Sequence, residues 1–167
     1  MIKKVHRSKS VIILTIIFMT ILVVTDIYLI IQMATQKIPF ILSALLFVII
    51  TATIFFSYMY APMSITLTDN SLILHRGIGK KVIDYTDISE IDIYKSEGII
   101  VRVCGIGGVF GFIGKFYNKK IGHYFSYVGD YSQAFYVQQK NGKKYVFSCE
   151  DREYIVFIIK KKVKSSN

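Results

Sequence analysis

The chain has 167 residues, a formal net charge of +10 and an apolar fraction of 53%. This length accommodates one modest domain together with an anchor and excludes two compact domains. The apolar fraction exceeds that of an ordinary soluble domain, and the excess lies in the first 62 residues. From Pro62 onward there are 16 basic and 10 acidic residues, an excess that suits an anionic membrane surface, an acidic partner or nucleic acid.

Residues 1–10 form a basic segment, which we expect to be a cytoplasmic tail, and a long apolar run follows it. Residues 11–33 contain a single charge, Asp26, and are long enough to cross about 30 Å of hydrocarbon. A cleaved signal peptide is the main alternative. The run is too long for the apolar core of a signal peptide, however, and no small-residue cleavage pattern follows it. We therefore predict a first transmembrane helix over residues 11–33.

A second apolar run covers residues 38–61 and predicts a second transmembrane helix, so residues 34–37 would form a short extracytoplasmic turn. Lys and Arg flanks stay on the cytoplasmic side, which predicts two spans in the inner cell membrane with both termini cytoplasmic. Asp26 is costly inside a membrane and is therefore a functional candidate. The simpler interpretation is a hydrogen bond to Thr51 or Thr53, or snorkelling to the outer interface.

After Pro62 the apolar run gives way to short alternating segments separated by turns. The strongest hairpin signal is Asn141-Gly142, which lies between two strand-like segments. Residues 151–163 begin with acidic and end with basic side chains, as a helix macrodipole favours. We predict a mainly-β domain over residues 62–163, a bent antiparallel sheet or partly open barrel capped by a C-terminal helix, followed by a tail at residues 164–167.

Alternation of side chains also defines a strand after residue 98. Ile99, Val101 and Val103 would face one way and Arg102 the other, as in a half-buried strand. Cys104 in this strand and Cys149 near the C-terminus have no neighbouring Cys or His. For a cytoplasmic domain this pattern predicts buried free thiols rather than a disulfide or a metal site.

Residues 105–114 contain five glycines, which invites comparison with phosphate-binding loops. Gly108 and Gly114 are six positions apart, and Phe116 stands where a Walker loop needs a hydroxyl. The dinucleotide fingerprint fails because Phe110 occupies its third glycine position. We therefore expect no nucleotide, cofactor or metal here, and predict instead a sharp bend, as at a barrel corner, with aromatic side chains in the core.

Residues 107–122, continued by Tyr127 and Asp130, resemble the signature of bacterial pleckstrin-homology-like (PH-like) domains found in small membrane proteins. The matching residues are Gly107, Gly108, Phe110, Gly111, Gly114, Phe116, Asn118, Lys119, Gly122, Tyr127 and Asp130. The resemblance extends more loosely over residues 65–163. It implies a PH-type fold, a bent seven-stranded sheet capped by a C-terminal helix, and it implies no catalytic residues.

Three classes of function remain. An integral anchor and a sheet with usable edges favour a scaffolding domain that binds a membrane or cytoplasmic protein, or forms a homo-oligomer, without nucleic acid. The alternative is an anionic-lipid module, in which each lysine at the surface adds about 1 kcal/mol. Its candidate contacts are Lys80, Lys81, Lys160, Lys161, Lys162 and Lys164. An enzyme or transporter subunit is disfavoured because the three histidines are scattered and no catalytic motif is present.

Overall fold

The fold is taken from a computed structural model, which describes residues 1–35, 39–95 and 98–166. Two long helices are followed by strands and a final helix, so the predicted class is confirmed. In chain order the elements are β1 (Ile2–Lys4), α1 (Lys9–Thr35), α2 (Phe40–Met59), β2 (Pro62–Leu67), β3 (Ser71–Arg76), β4 (Lys80–Asp84), a 3-10 turn (Tyr85–Asp87), β5 (Ile88–Ile93), β6 (Ile100–Gly107), β7 (Phe112–Asn118), β8 (Gly122–Val128), a second 3-10 turn (Tyr131–Gln133), β9 (Ala134–Gln139), β10 (Lys144–Ser148) and α3 (Arg152–Ser166).

Helices α1 and α2 are both long and apolar enough to cross a membrane. Only 6% of the apolar window of each helix is buried inside the structure, which distinguishes them from core helices of a soluble protein. The Thr51 hydroxyl lies 3.5 Å from the Asp26 carboxylate, so the partner proposed for Asp26 is within reach. Residues 34 and 35 of the predicted turn belong to α1, because the helix continues to Thr35, and residues 36 and 37 lie outside the described residues.

The first residues of the chain form a strand, and this differs from the basic tail expected at residues 1–10. Strand β1 pairs antiparallel with β2, and the Met1 ammonium group donates to the Leu67 carbonyl at 2.9 Å. Lys3 forms an ion pair with Asp151, which raises the pKa of its ammonium group. The N-terminus is therefore built into the β domain, although α1 and α2 separate the two in sequence.

The strands form two sheets instead of the single seven-stranded sheet that was expected. One sheet has the order β1-β2-β3-β4, and the other has the order β5-β9-β10-β8-β7-β6. Neighbours in the second sheet are antiparallel except β8 and β10, which are parallel. The predicted hairpin at Asn141-Gly142 joins β9 to β10. Among the described strands, β5 and β6 are the two edges of the second sheet.

The main core joins the two sheets and the buried face of α3. Its fully buried side chains include Ile65, Leu72, Leu74, Phe135, Phe147, Ile155 and Ile159. A smaller, mainly aromatic cluster contains Phe116, Tyr124 and Tyr136. Because successive side chains of a strand alternate, Phe135 joins the main core while Tyr136 joins the smaller cluster on the opposite face. Buried side chains therefore lie on both faces of the second sheet near its centre.

Candidate functional site

The glycine-rich segment forms the β6–β7 hairpin, where a barrel corner had been expected. The Gly108 amide donates to the Gly111 carbonyl at 3.0 Å and closes the turn. Gly105 and Gly114 lie opposite each other in the two strands, with φ angles of 127° and 128°. A Cβ on Gly105 would lie 2.2 Å from the Ile113 carbonyl oxygen. These two strands can therefore approach only because both positions are glycine.

The β6–β7 turn rests against the two long apolar helices. The Phe110 amide donates to the Thr15 hydroxyl of α1 at 2.9 Å, and the Phe110 ring packs edge to face on Tyr58 of α2, with centroids 5.7 Å apart. Gly108 lies against Leu14, whose Cδ1 would be 3.0 Å from an added Cβ. The motif that resembled a PH-like signature thus contains the contact between the β domain and its anchor.

Replacing Thr15 by Val keeps the shape of the side chain but removes the acceptor for the Phe110 amide. We expect the free energy of unfolding to fall by about 1–3 kcal/mol because a partly buried donor loses its partner. Thermal unfolding of the full chain in detergent measures this change. Thr20→Val is the matched control, since that hydroxyl donates to the Ile16 carbonyl of its own helix. Equal destabilisation by the two variants would contradict the assigned contact.

Motif residues beyond the turn have separate structural positions. The Asn118 side chain accepts from the Lys120 amide at 2.8 Å in the β7–β8 turn, where Lys119 is exposed and Gly122 has φ of 75°. Phe116 belongs to the smaller aromatic cluster. The structure therefore does not gather these residues at one ligand site.

Three further motif residues lie on other parts of the domain. Tyr127 stacks on Phe147 in the main core, with centroids 5.8 Å apart. The Asp130 carboxylate accepts from the Ser132 amide at 2.8 Å and lies 3.5 Å from His6 in the N-terminal segment. Gly107 lies under the Arg102 side chain, which is 3.1 Å from an added Cβ. The contacts of these three residues are structural.

The lysines considered for lipid contact fall into two separate groups. Lys160 forms an ion pair with Asp92 at 3.1 Å, and Lys162 donates to the Thr68 carbonyl at 2.7 Å and pairs with Asp69. The pKa of Asp92 is lowered by a hydrogen bond from the Ile93 amide and by Lys160. Thr68 follows β2 at the end remote from α2, roughly 20 Å along the strand from Pro62. Lys161 and Lys164 on the same helix, α3, are exposed.

Lys80 and Lys81 belong to the opposite end of the first sheet. The turn before them contacts α2, because the Ile78 amide donates to the Met59 carbonyl at 2.9 Å. Lys81 lies over the Tyr145 ring, with its Nζ 4.8 Å from the centroid. Two lysines next to the anchor and four on the remote helix do not form one continuous cationic surface.

Strand β6 differs from the half-buried strand that alternation predicted. Ile99, Val101 and Val103 are 79%, 49% and 54% exposed, and β6 has only β7 beside it among the described strands. A register shift between Arg102 and Cys104 leaves Val103 at a bulge. An edge strand with apolar side chains in solvent is uncommon in proteins that act alone. The alternation correctly predicted a strand, but it did not indicate whether another element covers that strand.

The two cysteines have different environments, so the prediction of two buried thiols was wrong for Cys104. Both cysteines are free, Cys104 is exposed on β6, and Cys149 is buried in the main core. Burial raises the pKa of the Cys149 thiol to about 12. Cys104 is therefore the accessible thiol of the two and a native reporter of the β6 surface.

An open groove of about 580 Å³ lies beside β6. It combines apolar and cationic side chains, including Val103, Lys115, His123, Phe125, Lys143 and Tyr145. The surrounding sequence is almost free of acidic residues, because residues 98–149 contain seven Lys or Arg and a single acidic residue, Asp130. We refer to β6 with Ile99, together with this groove, as the β6 surface. The side chains of this groove suit a ligand that carries both apolar groups and negative charges.

Comparison with known protein families gives a match over the β domain. A family model described as a bacterial PH domain matches residues 63–163, more than half of the chain. No curated protein and no solved structure matches the chain. Within residues 1–35, 39–95 and 98–166, no group of three or more His, Cys, Asp or Glu side chains could hold a metal ion.

Proposed function

The chain belongs to the bacterial PH domain family, and on that premise we propose that it is a membrane-anchored scaffolding domain that binds protein at the cytoplasmic face of the cell membrane. The observation that carries the proposal is the exposed apolar edge of β6. An open edge offers unpaired backbone amides and carbonyls, which an extended segment of a partner can bind as an added strand. Partner proteins or a second copy of the chain could supply that segment.

Two observations support the proposed arrangement, in which the residues before α1 and after α2 lie on the same side of the membrane. Strand β1 pairs with β2, so the residues before α1 and after α2 belong to one sheet, as expected if the helices enter and leave on the same side. Arg7 and Lys9 at the start of α1, with Arg76 near the end of α2, are positive flanks of the kind retained in the cytoplasm.

Lipid binding is the weaker candidate. Two of the predicted lipid-contacting lysines lie on β4 and the other four lie on α3, where Lys160 and Lys162 are paired with carboxylates of the domain. Exposed ion pairs are weak, but releasing them offsets part of any gain from anionic headgroups. We also propose that the domain acts by binding alone and has no catalytic activity.

Photo-crosslinking in intact membranes tests the proposal. A photoreactive amino acid at Val101 is expected to give discrete protein adducts, because that side chain is exposed on β6. The same probe at Tyr154, which is 53% exposed on α3, is the matched control and is expected not to give them. A Val103→Glu change should remove the Val101 adducts by placing a negative charge in the apolar edge. Identical adducts from both positions, or lipid adducts alone, would overturn the proposal.

A further inference from the structure

We infer that the β6 surface accepts an extended, acidic segment of a different protein, which adds to β6 as a strand and places carboxylates in the neighbouring groove. This inference rests on the proposed function and specifies the chemistry of its partner. Three features of the molecule support it: the charge of the groove, its apolar floor, and the open backbone edge of β6.

The charge of the groove calls for a negative ligand. Lys115 and Lys143 line it, and no acidic residue lies on β6, β7, β8 or the β9–β10 hairpin. Neither Lys115 nor Lys143 forms an ion pair within the part of the chain that the structure describes. Elsewhere in the domain, Lys3, Lys160 and Lys162 all meet carboxylates. The groove therefore contains cations that a partner can still neutralise.

The floor of the groove and the strand edge define the shape of the ligand. Val103, Phe125 and Tyr145 provide apolar surface between the cations. A strand added beside Ile100–Gly107 would point alternate side chains to this face. Because β6 shifts register between Arg102 and Cys104, the added ladder would start along residues 100–102 and pass the bulge beside the groove. A segment that alternates apolar and acidic residues meets both requirements.

A second copy of the chain is a poor occupant because it would bring the same positive charges to the interface. Two copies joined through β6 would bring Arg102 and the groove cations of each copy toward the same groups of the other. Like charges placed opposite each other across a sheet are destabilising, and interfaces use such repulsion to exclude wrong partners. The partner is accordingly expected to be a different, acidic protein.

Binding of three labelled peptides to the full chain in neutral-lipid nanodiscs tests the inference. Each peptide has eight residues, the length of β6. One alternates Val and Glu, the second replaces Glu by Lys, and the third keeps Glu but replaces alternate Val by Pro. The Val/Glu peptide is expected to bind at least about tenfold more tightly than the other two, because it alone has both the charge and the backbone donors.

Variants of the chain locate the site. Lys115→Glu, on the strand next to β6, should weaken the Val/Glu peptide about tenfold, whereas Lys161→Glu on exposed α3 should leave it unchanged. Equal binding of the Pro peptide, equal effects of the two charge changes, or complete displacement by vesicles of anionic phospholipid would overturn the inference. So would efficient formation of a Cys104 disulfide between copies when membranes are oxidised, since this would identify a second copy as the occupant.

The outcomes separate this inference from the proposed function. Protein adducts from Val101 without binding of the acidic peptide would show that the partner has another chemistry, while the scaffolding function would stand. Absence of adducts from Val101 would contradict the proposed scaffolding function itself.

Discussion

Replacing Gly105 by Ala is expected to disrupt the β6–β7 hairpin and to lower the free energy of unfolding by about 3 kcal/mol or more. The new Cβ would lie 2.2 Å from the Ile113 carbonyl oxygen and 2.8 Å from the Gly114 Cα, both of which are backbone atoms. The backbone of Gly105 also has φ of 127°, a conformation that L side chains rarely adopt. Both effects act together, so relaxation of a side chain cannot relieve the strain.

Thermal unfolding of the full chain in detergent measures the effect of Gly105→Ala. For a domain of this size, a loss of about 3 kcal/mol lowers the Tm by roughly 12 °C or more. Gly122→Ala is the matched control, because Gly122 also has a positive φ, of 75°, but has nothing within 4 Å of an added Cβ. It should cost only about 1 kcal/mol. If Gly105→Ala costs no more than Gly122→Ala, the close approach of β6 and β7 is incorrect.

A second large effect is expected from Gly129→Ala, which should detach the N-terminal segment from the domain. A Cβ on Gly129 would lie 2.4 Å from the His6 carbonyl oxygen, beside the hydrogen bond from the Ser8 amide to the Gly129 carbonyl at 3.1 Å. Displacing this segment also weakens the bond from the Val5 amide to the Met63 carbonyl. The combined loss is about 2–4 kcal/mol.

Limited trypsin digestion followed by mass spectrometry shows this detachment directly. The native chain should resist cleavage after Lys3 and Lys4, whose strand is paired with β2, and Gly129→Ala should be cleaved there early. Gly142→Ala serves as the control, because it adds a Cβ with nothing within 4 Å in the β9–β10 turn. An unchanged cleavage pattern in Gly129→Ala would show that the N-terminal strand does not depend on this contact.

Features encoded locally were accessible from the sequence. The two apolar helices, the Asn141-Gly142 hairpin and the C-terminal helix each depend on the composition or periodicity of one continuous segment. The PH-like signature was recognisable because its glycines and aromatics lie close together, and the family match confirms it. In these cases local preference and tertiary structure agree.

Features that depend on distant partners were not accessible. Strand β1 has only three residues, and it forms because it pairs with β2, about sixty positions later in the chain. Thr15 is a small polar residue in an apolar run, and its hydroxyl accepts from the Phe110 amide, 95 residues away. Alternation correctly predicted a strand near Val101, but only the order of the second sheet reveals that β6 is an exposed edge. The carboxylate partners of Lys160 and Lys162 likewise depend on where α3 packs.

The β6 surface is connected to the anchor through the β6–β7 turn. Strand β6 leads directly into the turn that contacts Thr15 and Tyr58 of the membrane helices. This contact holds one end of the exposed edge next to the anchor. A partner bound along β6 would therefore be held close to the anchor, as the proposed scaffolding function requires.

The most direct test of the scaffolding function uses the native Cys104 thiol. Its alkylation rate by a membrane-permeant maleimide is measured in native membranes and in the purified chain, with buried Cys149 as the internal reference. A partner on β6 slows the reaction in proportion to its occupancy, so the rate in membranes should be about tenfold lower when nine-tenths of the chains are occupied. Equal rates of Cys104 alkylation in the two preparations would contradict a bound partner on the β6 surface.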